Sequence, residues 1–534
     1  MDTQEFDYVI VGAGSAGCVL ASRLTEDPDT TVCLLEAGEK DSSVLIHAPV
    51  GIPALVRAKS STNYGYETVP QPGLNGRRGY QPRGRTLGGS SSINAMLYVR
   101  GHRWDYDHWG ELGNAGWSYD EVLPAFVRAE NNEQIANSFH GQGGPLNVTY
   151  PLYDSAVTEM FLRAAESQGL ARNPDYNGAE QEGAFVYQVT HRNGERCSSA
   201  KAYLTPNLAR PNLDLKTEAT STRVLIDGSC AEGVEYERGG RLHRVRARRE
   251  VIISSGAFGS PQLLMLSGIG TASDLQAHGI EVAHNLPGVG RNLQDHIDYV
   301  QSWRTPAWSD TVGLSARGAA KFAAGMLEWK KRRTGLMTTV YATGGAFMRS
   351  EAGLPAPDLQ IVFVVAIVDD HARKMHLGHG ISSHVDVLRP YSRGVVTLRS
   401  KDPHDSVLID PGFLSDERDL ELLVKGAQMQ QRIVESAPFA PIRGEMLYAT
   451  RIDDVAALRE DIRNRADTQY HPVGTCKMGP ADDPMAVVDE RLRVRGIARL
   501  RVVDASIMPT LIGGNTNAPT IMIAERAASW IKAG

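Results

Sequence analysis

The 534-residue chain is predicted to adopt an α/β fold in which a Rossmann-like βαβ unit is joined to strands of a separate sheet. Three observations lead there. The opening "DYVIVGAGSAGCVLASRLTEDPDTTVCLLEAG" reads as strand, tight turn, helix, strand. A second stretch, "REVIISSGAFGSPQLLMLSGIG", residues 249 to 270, reads as another strand, a glycine turn and a helix whose start is marked by Ser260 and Pro261. Two later apolar runs, "APDLQIVFVVAIV" and "VVTLRS", read as strands from a different part of the fold.

In the opening unit, Tyr8 to Val11 form a continuous apolar run suited to a buried parallel strand, and Ser15 to Leu24 have the small and apolar spacing of a helix packed on a sheet. Between them Gly12, Gly14 and Gly17 make the G-x-G-x-x-G pattern. Gly12 is expected to make the turn, Gly14 to admit a pyrophosphate close to the backbone, and Gly17 to let the helix approach the strand. The next strand ends in Glu36, 22 residues after Gly14, where a carboxylate can bind ribose hydroxyls. Strand, turn and acid in register imply a dinucleotide, and Glu36 argues against one with a 2′-phosphate. Nicotinamide and flavin enzymes share this opening, so the residues alone leave the two open. A second fingerprint is lacking in "LPGVGRNLQDH", where Gly288 and Gly290 are followed by asparagine and leucine; this argues against a two-nucleotide flavin reductase.

Composition excludes other classes. The chain is long enough for roughly three or four average domains. With 42% hydrophobic and 22% charged residues it matches a globular protein, and a net charge of −6 gives no reason to expect nucleic acid. Its 53 glycines are about a tenth of the residues, above the average of ~7%, and suit a chain with many tight turns. The five cysteines are scattered, with no Cys-x2-Cys pair, as expected of reduced thiols in a cytoplasmic protein. The acidic N-terminus lacks the features of a secretory signal, and no uncharged run approaches the ~18 residues that span a bilayer.

Two further segments carry polar chemistry. "GRTLGGSSSINAMLYVRG", residues 84 to 101, offers a glycine-serine turn whose amides can face an anion or a ring edge, or simply make a polar loop. "TQYHPVGTCKMG", residues 468 to 479, offers His471 as a metal ligand with Cys476, a core histidine, or a base. No second His/Cys cluster stands nearby, so no metal is expected.

Together these stretches resemble the glucose-methanol-choline (GMC) family of flavoprotein oxidoreductases. One family signature lies around Gly88 and Gly89 and the other spans Gly256 to Gly270. "DHWGELGNAGWSYDEVLPAF", "HGQGGPL", "LPGVGRNLQDH", "HPVGTCKMG" and "VVDASIMPTLIGGNTNAPTIMIAERAA" also look like family segments, in the family's order from residue 7 to about 530. The resemblance, not the spacing, implies FAD rather than NAD. It implies an FAD-binding domain of the GMC type assembled from residues 1–155, 201–297 and 465–534. Interleaved with it is an α+β substrate domain, residues 156–200 and 298–464, built on an antiparallel sheet. FAD contacts are implied for Gly12, Gly14, Ser15, Ala16, Gly17, Glu36 and Ala37; for Gly88, Asn94, Ala95, Met96 and Leu97; and for Val224, Tyr470, Ala505, Asn515 and Thr516. His471 matches the family's base, and Asn515 of "GGNTNAPT" the second polar group, although an asparagine between Gly514 and Thr516 also suits a turn. Where some members attach flavin through a histidine, this sequence has Ile93, so the FAD is expected to be non-covalent.

The resemblance is nearest to bacterial choline-dehydrogenase-like alcohol dehydrogenases, which implies oxidation of a primary alcohol to the aldehyde with electrons passed to a quinone or another carrier. Apolar strands such as "IVFVVAIV" favour an uncharged alcohol, a long-chain alkanol or polyethylene glycol, over choline. An oxygen-using oxidase, and more remotely a non-redox lyase, a decarboxylase or a nicotinamide enzyme, are the alternatives. Residues 314 to 333, "LSARGAAKFAAGMLEWKKRR", place Phe322, Met326 and Trp329 at i, i+4, i+7 beside Lys330 to Arg333. That pattern suits an ordinary amphipathic helix or peripheral contact with the inner face of the cell membrane.

Overall fold

A computed structural model describes residues 4–153 and 155–534. Its first sheet begins where the apolar runs predict. Val32–Leu35 is wholly buried, lying between Gln4–Val11 and Leu213–Lys216, both parallel to it. On the other side of Gln4–Val11 runs Arg241–Ile253, also parallel. Along its N-terminal half Arg241–Ile253 pairs with Cys230–Arg238, and along its last residues with Leu500–Val502, so the sheet draws on both ends of the chain. Strands covered on both faces read as unbroken apolar runs, and each buried Val, Leu or Ile contributes roughly 1.5–3 kcal/mol.

Helix Ser15–Leu24 follows the first strand and packs on Asn517–Ala533, the last helix. Their joint is a buried charge. Glu525 of the last helix receives Arg23, Arg128 and the Tyr203 hydroxyl, at 2.8 Å for the nearest atom of each. Such a carboxylate is tolerated in the interior only because several donors hold it.

The second sheet is antiparallel throughout, in the order Asp467–Thr468, Ile297–Thr305, Gly378–Val387, Leu359–Val364, Ala342–Met348, Gly183–Val186. Alternation decides its faces. Ile361 and Phe363 join the core beneath helices Ala156–Ser167 and Glu417–Glu435, while Val362 and Val364 point the other way, into a cluster with Met96 and Leu97. Among the described residues no helix is long and apolar enough to cross a membrane.

Three sequence expectations need correction. Helix Gly256–Leu266 begins a turn before Ser260 and Pro261, which lie inside it. Proline there leaves the Ala257 carbonyl without its helical donor, and the Thr475 hydroxyl supplies one at 2.6 Å. Ser260 meanwhile donates to Asp504. The strand Val395–Thr397 of "VVTLRS" pairs only with Leu408–Asp410, and Val396 packs on Ala257 and Phe258, so it leans on the first sheet's side of the molecule rather than extending the second. Trp329 does not share the exposed face of Phe322 and Met326; its indole turns inward and donates to the Gly194 carbonyl at 2.7 Å.

Candidate active site

The turn after the first strand is shaped by what a side chain would strike. Gly12 has φ of +97°, and a Cβ there would lie 2.5 Å from the Ser254 oxygen; one on Gly17 would lie 1.8 Å from the Gly12 oxygen. Gly14 and Gly256 differ, because a Cβ on either meets no atom nearer than 3.9 Å. Both lie on the wall of a cavity, so bare main chain faces open space. Glu36, at the end of the second strand, accepts the Ala13 and Gly38 amides at 2.9 and 2.8 Å, and burial raises its carboxyl to about 7. The 88–97 segment closes over this turn: Gly88 donates to the Ala13 carbonyl at 2.7 Å, and Gly89, with φ of +53°, sits against Gly14. Asn94 is held by the buried Arg196 at 2.8 Å and accepts the Met96 amide, fixing Met96 in a left-handed conformation.

The cavity is about 1600 Å³ and runs from this glycine turn to His471 and Asn515. Ordinary small-ligand sites occupy roughly 300–1,000 Å³, so it has room for a large cofactor and a substrate together. Every contact anticipated from the sequence lines it except Gly17, Gly88 and Val224. Gly17 and Gly88 serve the turn from behind. Val224 lies on strand Thr220–Asp227, which pairs with Cys230–Arg238, and joins the core of the first sheet with its amide on the Ser267 hydroxyl, while Ala219 to Ser221 at the start of that strand reach the cavity. Ile93 is buried with Ile46 and Leu55.

At the far end, His471 follows the edge strand Asp467–Thr468. Its amide donates to Asp295 at 2.8 Å, and Asp295 also accepts the Thr468 hydroxyl at 2.5 Å and the Gln81 amide at 2.9 Å. Burial pushes the Asp295 carboxyl up to about 6. Nδ1 of His471 lies 2.9 Å from Nδ1 of His296, whose Nε2 is 3.0 Å from the Leu388 carbonyl and 3.1 Å from that of Ile512. On the opposite side of the ring, Nε2 of His471 is 3.1 Å from the Asn515 amide nitrogen. Gln360 reaches the Asn515 oxygen at 3.4 Å and the Tyr187 hydroxyl at 2.7 Å. Burial, then His296 and Arg83, hold the His471 imidazole well below its ordinary 6.5, so it is uncharged at neutral pH.

Tyr470, beside it, has φ of +73° and places its hydroxyl 2.6 Å from His371, which in turn meets Asp467 at 3.0 Å. Among the described residues no group of three His, Cys, Asp or Glu is gathered as a metal-ligand set. Sequence reasoning singled out neither Asp295 and His296 nor Arg83, whose guanidinium donates to the Tyr470 carbonyl at 2.8 Å. The signal for the first two lay in "LPGVGRNLQDH", whose glycines and family resemblance say nothing of what its last two residues face.

The chain's own atoms fit FAD: bare backbone at Gly14 and Gly256, a carboxylate at the end of the second strand, and a continuous cavity from there to His471. Two family models, both described as GMC oxidoreductase, match residues 6–298 and 390–524. An alcohol dehydrogenase (acceptor) of Pseudomonas putida is 44% identical, over 98% of this chain and 95% of that protein. The mitochondrial choline dehydrogenase of Homo sapiens is 45% identical, over 99% and 90%. Among solved structures, pyridoxine 4-oxidase from Mesorbium loti is 32% identical with a TM-score of 0.89, covering 99% of both chains.

Proposed function

The chain belongs to the GMC oxidoreductases, FAD-dependent enzymes, and on that basis we propose that it oxidises a primary alcohol to the aldehyde with His471 as the base. The observation that carries this reading is the pairing of His471 Nε2 with the Asn515 amide at the end of a cavity that starts at a dinucleotide turn. When bound, FAD supplies the hydride acceptor. An aliphatic alcohol is far too weak an acid to lose its proton unaided near pH 7, so uncharged Nε2 takes it, and help of this kind is worth roughly 10²–10⁴ in rate. Asn515 Nδ2 donates to the substrate oxygen and orients the carbon to be oxidised. FAD is held without a covalent bond, since Ile93 offers no nucleophile, and acid precipitation is expected to leave the yellow colour in the supernatant.

An uncharged, long alcohol such as an alkanol or polyethylene glycol suits the walls. Val340, Val362, Val364 and Ile367 line the substrate side, and the three lining carboxylates among the described residues, Glu36, Asp405 and Asp504, lie on the side of the first sheet. Tyr341 and Tyr470 line the cavity as well, so the case against a quaternary ammonium rests on the placement of those carboxylates away from the base and not on a lack of aromatic rings. Anaerobic mixing with 1-octanol, polyethylene glycol and choline tests this: bleaching of the flavin absorbance by the first two is expected. Bleaching by choline alone would move the substrate to the choline class, and an unchanged spectrum with all three would favour a lyase on the same scaffold. Repeating the screen in air separates an oxidase from an enzyme that hands electrons to a quinone or other carrier.

A second reading, peripheral membrane contact, rests on the cavity mouth. Helix Ala316–Arg332 exposes Phe322 (41%) and Met326 (49%), and Met375 (64%) and Leu377 (80%) stand out beside the same opening. The helix ends in Lys330, Lys331 and Arg332, on a chain of net charge −6. Co-sedimentation with phosphatidylglycerol vesicles but not phosphatidylcholine vesicles is expected; recovery in the supernatant from both would contradict it.

A further inference from the structure

The base function assigned to His471 requires a lone pair on Nε2, and an isolated neutral imidazole can carry its single proton on either nitrogen. The structure assigns that choice to His296, a positioning residue that fixes the His471 tautomer from behind. This inference rests on the alcohol-oxidising reading for its consequence, though not for its geometry.

Two main-chain oxygens decide which nitrogen of His296 holds its proton. The carbonyl oxygens of Leu388 and Ile512 can only accept, and both lie within 3.1 Å of His296 Nε2. Nε2 of His296 therefore carries the proton and shares it between them. Burial pushes the His296 imidazole down to about 3, so the ring has one proton and its Nδ1 is an acceptor. The atom that meets this acceptor at 2.9 Å is His471 Nδ1, which must donate. Asp386 is farther, 3.8 Å from His296 Nδ1, outside hydrogen-bond range. With its proton committed to Nδ1, neutral His471 has its lone pair on Nε2, where the Asn515 amide nitrogen donates at 3.1 Å. Gln360 holds the Asn515 oxygen and so keeps the amide in that sense.

The opposite tautomer fails at every link except the one between the two rings. A proton on His471 Nε2 would face the Asn515 N–H, and the proton on His296 would move to Nδ1, leaving two carbonyls against a bare nitrogen. One arrangement satisfies every contact from Leu388 to Asn515; the other breaks most of them. The same chain serves the charged state: when Nε2 has taken the hydroxyl proton, the Nδ1–H of the imidazolium still has its acceptor in His296.

The test separates acceptor from filler. In His296→Asn the side-chain oxygen can stand where Nδ1 stood, whereas His296→Leu fills space and accepts nothing. Both are expected to bind FAD. His296→Leu is expected to lower the limiting rate of anaerobic flavin reduction by roughly 10² with little change in substrate Kd, and His296→Asn to recover most of it. Nitrogen-15 spectra of labelled histidines give a readout free of turnover: the signals lost in His471→Ala are expected to report a protonated Nδ1 and a bare Nε2 in the wild type, and to shift toward the other tautomer in His296→Leu. A protonated Nε2 in the wild type would overturn the inference. So would a near-normal rate in His296→Leu, or a His296→Asn rate as low as that of the leucine variant, which would mean that anchoring the two carbonyls is what matters. If His296→Leu loses FAD, the wild-type and His296→Asn spectra still decide. If no alcohol reduces the wild-type flavin, the functional reading fails while the spectra judge the tautomer on its own.

Discussion

The two ends of the cavity are built by opposite means. At the glycine end the wall is main chain, and the residues matter for what they lack: a side chain at Gly12 or Gly17 would strike backbone oxygen, and none at Gly14 or Gly256 leaves the backbone bare. At the histidine end the wall is side chain held by side chain, from Tyr187 through Gln360 to Asn515, and from His296 to His471. The first end is a shape for holding a cofactor; the second is a set of proton positions. Damage to one should therefore lose the flavin, and damage to the other should keep the flavin and lose the rate.

The largest effect is expected at the glycine end. Gly12→Ala places a Cβ 2.5 Å from the Ser254 oxygen at a φ of +97°, a backbone region that costs a side chain roughly 1–3 kcal/mol even without the collision. The variant is expected to purify with little or no flavin, read as the ratio of absorbance at 450 nm to that at 280 nm; full yellow colour would erase the contrast between the ends. A smaller effect is expected of Asn515→Ala, which removes an orienting donor and leaves the base: flavin content unchanged and reduction slower by roughly tenfold. Loss of FAD in this variant would show that the two ends are not separable. The smallest is an absence of change with pH. Because the His471 imidazole is held well below 6.5, it stays uncharged as pH falls from 8 through 6.5, and the reduction rate is expected to be level across that range and to fall only in more acidic solution. A limb centred near 6.5 would show an imidazole in contact with solvent.

The same division explains how much of each end is legible in the sequence. The glycine turn, its helix and Glu36 lie within one continuous stretch, so local periodicity and turn chemistry were enough, and helix Ser15–Leu24 has the limits its spacing implied. His471 and Asn515 could be singled out only through resemblance to a family, because nothing local to "QYHPVG" or "GGNTNA" states what faces it. His296 was passed over although "NLQDH" was in view, since its partner is 175 residues away and the two rings meet only because Ile297–Thr305 pairs with Asp467–Thr468. Gln360 lies on strand Leu359–Val364 and Tyr187 just after strand Gly183–Val186, and alternation there shows a face but not what stands across from it. Pro261 misled for a different reason: a proline inside a helix is tolerable when a remote hydroxyl, here Thr475, takes up the carbonyl it frees.

The most direct measurement is anaerobic stopped-flow reduction of the bound flavin by 1-octanol in the wild type and in His471→Ala. A proton-accepting His471 requires the variant to fold, to keep its full complement of FAD, and to be reduced more slowly by roughly 10² or more. Reduction of His471→Ala at the wild-type rate would contradict the assignment of His471 as the group that takes the proton.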